Sequence, residues 1–202
     1  TRSLCDWSSD VCSSDLYAEG STIDTLGKAI TIIGTVDGDG LPTSVLDGGG
    51  THRVIQCISG ETTTTIFQNL RIVGGFQETG GGMYNESSSP SIINCEFSGN
   101  DAEAGGGMYN EFSSPDLDRC YFINNTAADH GGGMASGTGS DPNLEDCEFT
   151  GNTAYIGAGM SVMESSEPVV EGCAFMRNTA QYDGGGVYIA PFTRPKLTRS
   201  EE

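Results

Sequence analysis

One block recurs four times with fixed internal spacing. A proline is followed five residues later by cysteine, two later by phenylalanine and three later by asparagine: Pro90, Cys95, Phe97, Asn100; Pro115, Cys120, Phe122, Asn125; Pro142, Cys147, Phe149, Asn152; Pro168, Cys173, Phe175, Asn178. A glycine-rich block precedes each copy, as in Gly81-Gly82-Met83, Gly106-Gly107-Met108, Gly132-Gly133-Met134 and Ala158-Gly159-Met160, and a fifth, Gly185-Gly186-Val187, follows the last. A period of about 26 residues, too rich in glycine for helix, requires a solenoid of β-coils in which each coil buries its apolar face on the next. The fold predicted is all-β, a right-handed single-stranded parallel β-helix of roughly six to seven rungs, a rod ~30 Å long at the ~4.8 Å strand spacing.

Side chains alternate along a strand, so Cys95 and Phe97 face the interior and Glu96 faces out. Stacking then makes columns. The predicted structural ladders are Cys95, Cys120, Cys147, Cys173; Phe97, Phe122, Phe149, Phe175; and Asn100, Asn125, Asn152, Asn178, whose amides can bond rung to rung. Ile92, Leu117, Leu144 and Val170 form an aliphatic column. Ala102, Ala127, Ala154 and Ala180 are expected at a bend that needs a small residue, and the glycines of Gly-Gly-Met at a tight bend with positive φ. Met-to-Pro and Asn-to-Met distances vary by one residue, which puts the insertions in loops. Ile66…Leu70-Arg71-Ile72 aligns with Ile92…Cys95-Glu96-Phe97, and Lys28–Gly34 looks like the same strand one coil earlier. Ser44-Val45-Leu46 reads as a short strand between turns, and Pro195-Lys196-Leu197 opens a further rung.

Both ends read as foreign to this pattern. Asp6–Leu16 resembles the in-frame translation of a short-read sequencing adapter, and Arg199-Ser200-Glu201-Glu202 the start of its reverse complement. Residues 1–16 and 199–202 are therefore expected not to be native, and 17–198 to be a β-helix fragment truncated at both ends, with uncapped rungs prone to aggregate. These end segments hold only two of the nine Lys and Arg and five of the 28 Asp and Glu, so the net charge of −19 is mostly the repeat's own. Such acidity argues against nucleic acid or an anionic membrane as partner. No apolar stretch approaches the ~20 residues of a membrane-spanning helix.

The chemistry-bearing residues are few. Four stacked thiols lie along a line, whereas metal ligands must converge, so the cysteines read as small core residues. The glycine blocks lack the Lys-Ser/Thr of a phosphate loop. No catalytic residue is assigned, and no cofactor is required. Asp118, Glu145 and Glu171 share one outward column, where calcium would relieve repulsion between like charges; Asp37, Asp39 and Asp47 are a second, weaker calcium set. Tyr84, Tyr109 and Tyr188 point outward on one wall, interrupted by Ala135 and Ser161, and are ligand-binding candidates able to stack on a sugar ring or a protein surface. His52 and His130 receive no role, and the glycosylation sequons at Asn85 and Asn124 are too common a pattern to assign.

The paired Gly-Gly-Gly-Met and Phe-x-x-Asn motifs resemble the polymorphic outer-membrane protein repeat of bacterial surface β-helices. The segment from Tyr17 through Gly27-Lys28-Ala29-Ile30-Thr31 to Asp47-Gly48-Gly49-Gly50 resembles the opening coils of the pectin-lyase-like superfamily. The resemblance implies a secreted or cell-surface, outer-membrane location. The near-uniform rungs, the short loops and the lack of any cluster of unusual residues favour a non-catalytic adhesin or autotransporter-passenger module that binds glycan or a surface protein of a host or neighbouring cell. The alternative is a polysaccharide lyase or glycosidase whose active site lies in missing rungs. A lyase would use Arg or Lys to hold acidic sugars, and the rungs carry few, chiefly Arg53, Arg71, Arg119 and Arg177.

Overall fold

Three single-residue corners turn each coil. In the first, Asn69, Asn94, Arg119, Asp146 and Gly172 adopt φ between 48° and 65°. In the second the left-handed residue is Gly74, Gly99, Asn124, Gly151 or Arg177, and in the third Gly80, Gly105, Gly131, Gly157 or Gly184. Gly and Asn suit this region; the two arginines occupy it at a cost. In the computed structural model, which describes residues 21–163, 165–191 and 193–198, these corners separate short strands. One coil reads Met108–Glu111, Asp116–Asp118, Tyr121–Ile123, Thr126–His130. The proposed non-native segments, 1–16 and 199–202, lie outside the described residues.

The strands stack in parallel into four sheets of seven, seven, six and five strands, named here the methionine, aliphatic, phenylalanine and alanine sheets in the order of that coil. The chain is a right-handed β-helix of about six turns, with no helix among the described residues. Register is strict on three sheets: Met83, Met108, Met134 and Met160 stack in turn, as do Ile92, Leu117, Leu144, Val170 and Leu197. The phenylalanine rings lie nearly parallel, with centroids 4.9, 4.6 and 4.7 Å apart from Phe97 to Phe175. That is offset-stacking distance.

The asparagine ladder forms as expected. Each Nδ2 donates to the next Oδ1, at 3.0 Å from Asn100 to Asn125, 3.1 Å from Asn125 to Asn152 and 2.9 Å from Asn152 to Asn178. Each backbone N–H in the series donates to the same oxygen. The other Nδ2 proton goes to a carbonyl of the preceding coil, such as Phe97 O at 2.9 Å from Asn125. The described cysteines, Cys57, Cys95, Cys120, Cys147 and Cys173, are free and buried. Cys120 Sγ, for example, lies 3.4 Å from Ile92 O of the coil before. Burial pushes the Cys57 and Cys95 thiols up to about 12, and Cys147 is raised first by the Cys120 thiol beside it.

Four expectations need correction. Ile92 stacks on Phe67, not Ile66, because the left-handed Asn69 fixes the count back from Leu70. Lys28–Gly34 does supply a strand, Thr31–Ile33, on the aliphatic sheet. Its phenylalanine-sheet partner comes only with Ser44–Asp47, where Leu46 stacks on Ile72. In the glycine blocks the positive φ belongs to the residue before the Gly-Gly pair. The pair itself has no positive φ and lacks room: a Cβ on Gly107 would lie 2.5 Å from Gly133 O. The alanines sit inside strands rather than at a bend. Finally, the extra residue between Asn125 and Met134 is a β-bulge within Thr126–His130, where Ala102 faces Ala127 but Ala104 faces His130. The Met134-to-Pro142 insertion does lie in a loop.

Candidate binding groove

The third corner makes the outer surface re-entrant. A Cβ placed on Gly105, Gly131, Gly157 or Gly184 would fall 2.8, 2.6, 2.9 and 2.7 Å from the Cβ of Tyr109, Ala135, Ser161 and Tyr188. Outward residues of the methionine sheet therefore fold over the corner, and a groove runs along the rod where the alanine and methionine sheets meet.

Its contents change from coil to coil. At one end Arg53 bridges the corner, donating to Thr79 O at 2.6 Å and Gly80 O at 3.0 Å, with its guanidinium 4.6 Å over the Tyr84 ring. Tyr84 and Tyr109 follow, centroids 5.9 Å apart, and the His130 ring lies 6.4 Å from Tyr109. Burial, then the neighbouring Glu111 carboxylate, pushes the Tyr109 hydroxyl up to about 12; that hydroxyl donates to Glu111 Oε2 at 3.1 Å. Next come Ala135 and Ser161, in register between Tyr109 and Tyr188. Beside Ser161 lies a cavity of about 390 Å³, whose lining includes Asp129, His130, Ile156, Ser161, Met163 and Tyr188.

The predicted tyrosine column is thus one wall of the groove, with Tyr84 and Tyr109 packed together and Tyr188 beyond the notch. Sequence reasoning gave His130 no role and missed a second aromatic pair on the alanine sheet. Tyr155 and Tyr182 stack at 5.6 Å with 43% and 73% of their surfaces exposed. The bulge hides them, because Tyr155 follows its ladder asparagine by three residues and Tyr182 by four.

The calcium candidates are placed differently. Asp118, Glu145 and Glu171 do stack in register on the aliphatic sheet, but as a line along the rod, and Asp118 pairs with Arg119 at 2.7 Å. Among the described residues no three His, Cys, Asp or Glu side chains gather to hold a metal. Asp37 accepts from the N–H groups of Asp39 and Leu41, and Asp47 from that of Gly49, so both cap turns. A second cavity of about 390 Å³, beside Arg119 and Tyr121, is bordered by the chain's own loop at Val36, Asp39, Gly40 and Leu41. There Asn94 Nδ2 donates to Gly40 O and to Asn69 Oδ1, both at 2.9 Å.

Two further structural ladders were also missed. Ser88, Ser113 and Ser140 each donate a backbone N–H to the next serine Oγ, ending on Ser166; all four stand two residues before a repeat proline, a signal present in the sequence. Asn85 donates to Asn110 at 2.8 Å and is fully buried, so its sequon cannot be used. At the head of the serine ladder sits Glu61, 2% exposed. It accepts from Thr25 Oγ1, Gly27 N, Ser59 N and Ser88 Oγ at 2.6–2.9 Å. Burial alone would raise its pKa; the hydrogen bonds outweigh that and hold it at about 2.

No curated protein and no solved structure matches the chain. The family of the right-handed β-helix region matches residues 54–200, from the second described strand of the methionine sheet through the last rung. With that match over most of the chain and the stacked coils described above, the protein belongs to the right-handed β-helix family.

Proposed function

We propose that the chain is a non-catalytic extracellular binding module of a bacterial surface or secreted protein, adhesin-like or passenger-like, with the corner groove as its ligand face. The observation that carries this reading is the groove itself: an aromatic wall interrupted by a notch, on a rod made stiff by three ladders. Solenoids offer long surfaces of this kind, and aromatic side chains dominate recognition by such faces. The reactive groups elsewhere are engaged in structure. Among the described residues the one carboxyl held far below its ordinary range, Glu61, is consumed by four hydrogen bonds, and the described thiols are buried. The partner class is a glycan or a protein of a neighbouring cell. No helix among the described residues is long and apolar enough to cross a membrane.

The test is binding of the 202-residue chain to a glycan array and to a panel of immobilised bacterial and host cells. Tyr109→Ala and Tyr188→Ala in the groove are compared with Tyr121→Ala on the outward side of the phenylalanine sheet. Binding lost with the groove variants and kept with Tyr121→Ala is the expected result; binding insensitive to both groove tyrosines refutes the placement. New reducing ends released from a polysaccharide by the purified chain reassign it as an enzyme.

A further inference from the structure

We propose that the notch between Tyr109 and Tyr188 receives a protonated alkyl amine, presented as a lysine side chain of a partner protein. The inference rests on the groove being the binding face, and it names the group that face recognises. The lining decides the chemistry. Ile156, Met163 and the Tyr188 ring supply apolar and aromatic surface, and the charged side chain among the lining residues is a carboxylate, Asp129. No Lys or Arg lines the cavity, and Arg53 at the far end of the groove is spent on two backbone carbonyls.

His130 adds an acceptor. Its Nδ1 lies 3.1 Å from Asp129 Oδ2. That contact favours the proton on Nδ1 in the neutral ring and leaves Nε2 with a lone pair, the tautomer being assigned from the contact. Nε2 is buried with no protein partner. A site made of a carboxylate, an imidazole acceptor and a tyrosine face offers lone pairs and π density, so its complement is a group that donates N–H bonds and carries positive charge. A four-carbon stem matches the apolar wall while its ammonium head reaches the carboxylate. The volume of about 390 Å³ accommodates that side chain. The field points the same way, since a chain of net charge −19 draws cations toward its clefts.

Why the notch sits here follows from two residues. The methionine-sheet outward column carries tyrosine in three coils, and the column is opened only by Ala135 and Ser161. Ser161 is itself covered, with Met163 Sδ 3.7 Å from its hydroxyl. Met163 is therefore the adaptable side of the notch, able to reshape around a flexible stem.

The experiment is NMR titration of the ¹⁵N-labelled full chain with Nα-acetyl-lysine N-methylamide. Parallel titrations use the norleucine analogue, which has the stem without the nitrogen, 1,4-diaminobutane, and methyl α-glucoside. Saturable shifts at the amides of Ser161, Tyr188 and His130 are expected with the lysine derivative and not with norleucine or the glucoside. Asp129→Asn, an exposed conservative change, weakens the interaction about tenfold, and Tyr188→Leu about threefold or more, the range of a lost cation–π contact. Circular dichroism confirms that both variants keep the fold.

Equal shifts with norleucine overturn the proposal, because the notch is then merely apolar. Tighter binding of the diamine than of the lysine derivative overturns the assignment to a protein side chain. Shifts with the glucoside alone overturn the amine while leaving the groove as binding face. Shifts with none of the probes, alongside cell binding that still depends on Tyr109, do the same. Loss of groove dependence in the cell-binding test removes the underlying reading, so the two failures are distinguishable.

Discussion

Removing one amide from the middle of the asparagine ladder tests how much these coils depend on it. Asn125 is fully buried and makes four side-chain bonds. Its Oδ1 accepts from Asn100 N at 3.1 Å and Asn100 Nδ2 at 3.0 Å. Its Nδ2 donates to Phe97 O at 2.9 Å and Asn152 Oδ1 at 3.1 Å. Asn125→Ala leaves two N–H groups of Asn100 without an acceptor in a site closed to solvent. Each unmet buried group costs ~1–3 kcal/mol, so the loss is ~2–6 kcal/mol. A water entering the vacated space brings it to the lower end. The total stability of a domain is only ~5–15 kcal/mol, so the effect is a large fraction of it. Urea unfolding followed by circular dichroism reads it as a lower midpoint. A transition that splits in two places the weak interface at this rung, as nearest-neighbour coupling in a solenoid requires. Thr126→Ala, one residue on and exposed, is the control and should stay within ~0.5 kcal/mol. Asn125→Asp at neutral pH should be worse than alanine, because it sets a carboxylate against Phe97 O and Asn152 Oδ1 with no proton to donate. If Asn125→Ala shifts the midpoint no further than Thr126→Ala, the ladder contributes little and the reasoning fails.

Acid should weaken the first coils through Glu61. Its carboxyl is held at about 2 against an ordinary 4.5, so the unfolded chain binds the proton more readily. The stabilisation is complete above 4.5 and is lost as pH falls toward 2, on the order of 3 kcal/mol; Glu61→Gln should flatten that dependence in acid-unfolding curves. At the corners, Arg177→Gly should raise the unfolding free energy by ~1 kcal/mol, read as a higher urea midpoint, since φ of 56° costs a side chain about that much. Gly107→Ala should lower it, because the added Cβ meets Gly133 O at 2.5 Å and the Phe122 ring at 2.9 Å; a neutral Gly107→Ala would contradict the packing described. Buried thiols should resist iodoacetamide at Cys57, Cys95, Cys120, Cys147 and Cys173 until denaturant is added, and site-resolved mass spectrometry showing native labelling at any of them would count against that core.

Periodicity carried the fold because stacking forces like residues to meet. Wherever a side chain's environment is its own copy 25 to 27 residues away, as for Phe122 or Asn125, a column in the sequence becomes a column in space. The errors fall where two neighbouring residues satisfied the same pattern. Ile66 and Phe67 are both apolar, and the choice between them depends on the left-handed turn at Asn69, which no composition reveals. Three consecutive glycines likewise conceal which one turns: Gly105 does, while Gly106 and Gly107 are glycine because carbonyls of the next coil approach too closely for a Cβ. Glu61 was illegible for the opposite reason. It occurs once, so no column announces it, and only the meeting of Thr25, Gly27, Ser59 and Ser88 shows its place.

The groove was half legible by the same rule. Tyr84, Tyr109 and Tyr188 follow the period and were visible as a column; the cavity depends on departures from it. Ala135 and Ser161 interrupt the column, and Ser161 lines the cavity; a sequence shows them only as gaps. The bulge in Thr126–His130 brings His130 opposite Ala104 and Ile156, adding to the notch a residue that repeat counting assigns to no column. A solenoid built from interchangeable coils can distinguish one point on its surface from another only by breaking its own repeat. Here small residues on one sheet and an inserted residue on the adjoining one break it at the same level of the rod. Coincident breaks on two walls of one corner make a cavity where a single break would leave only a dent. The proposed ligand face therefore lies where the rod breaks its own repeat on two walls at once.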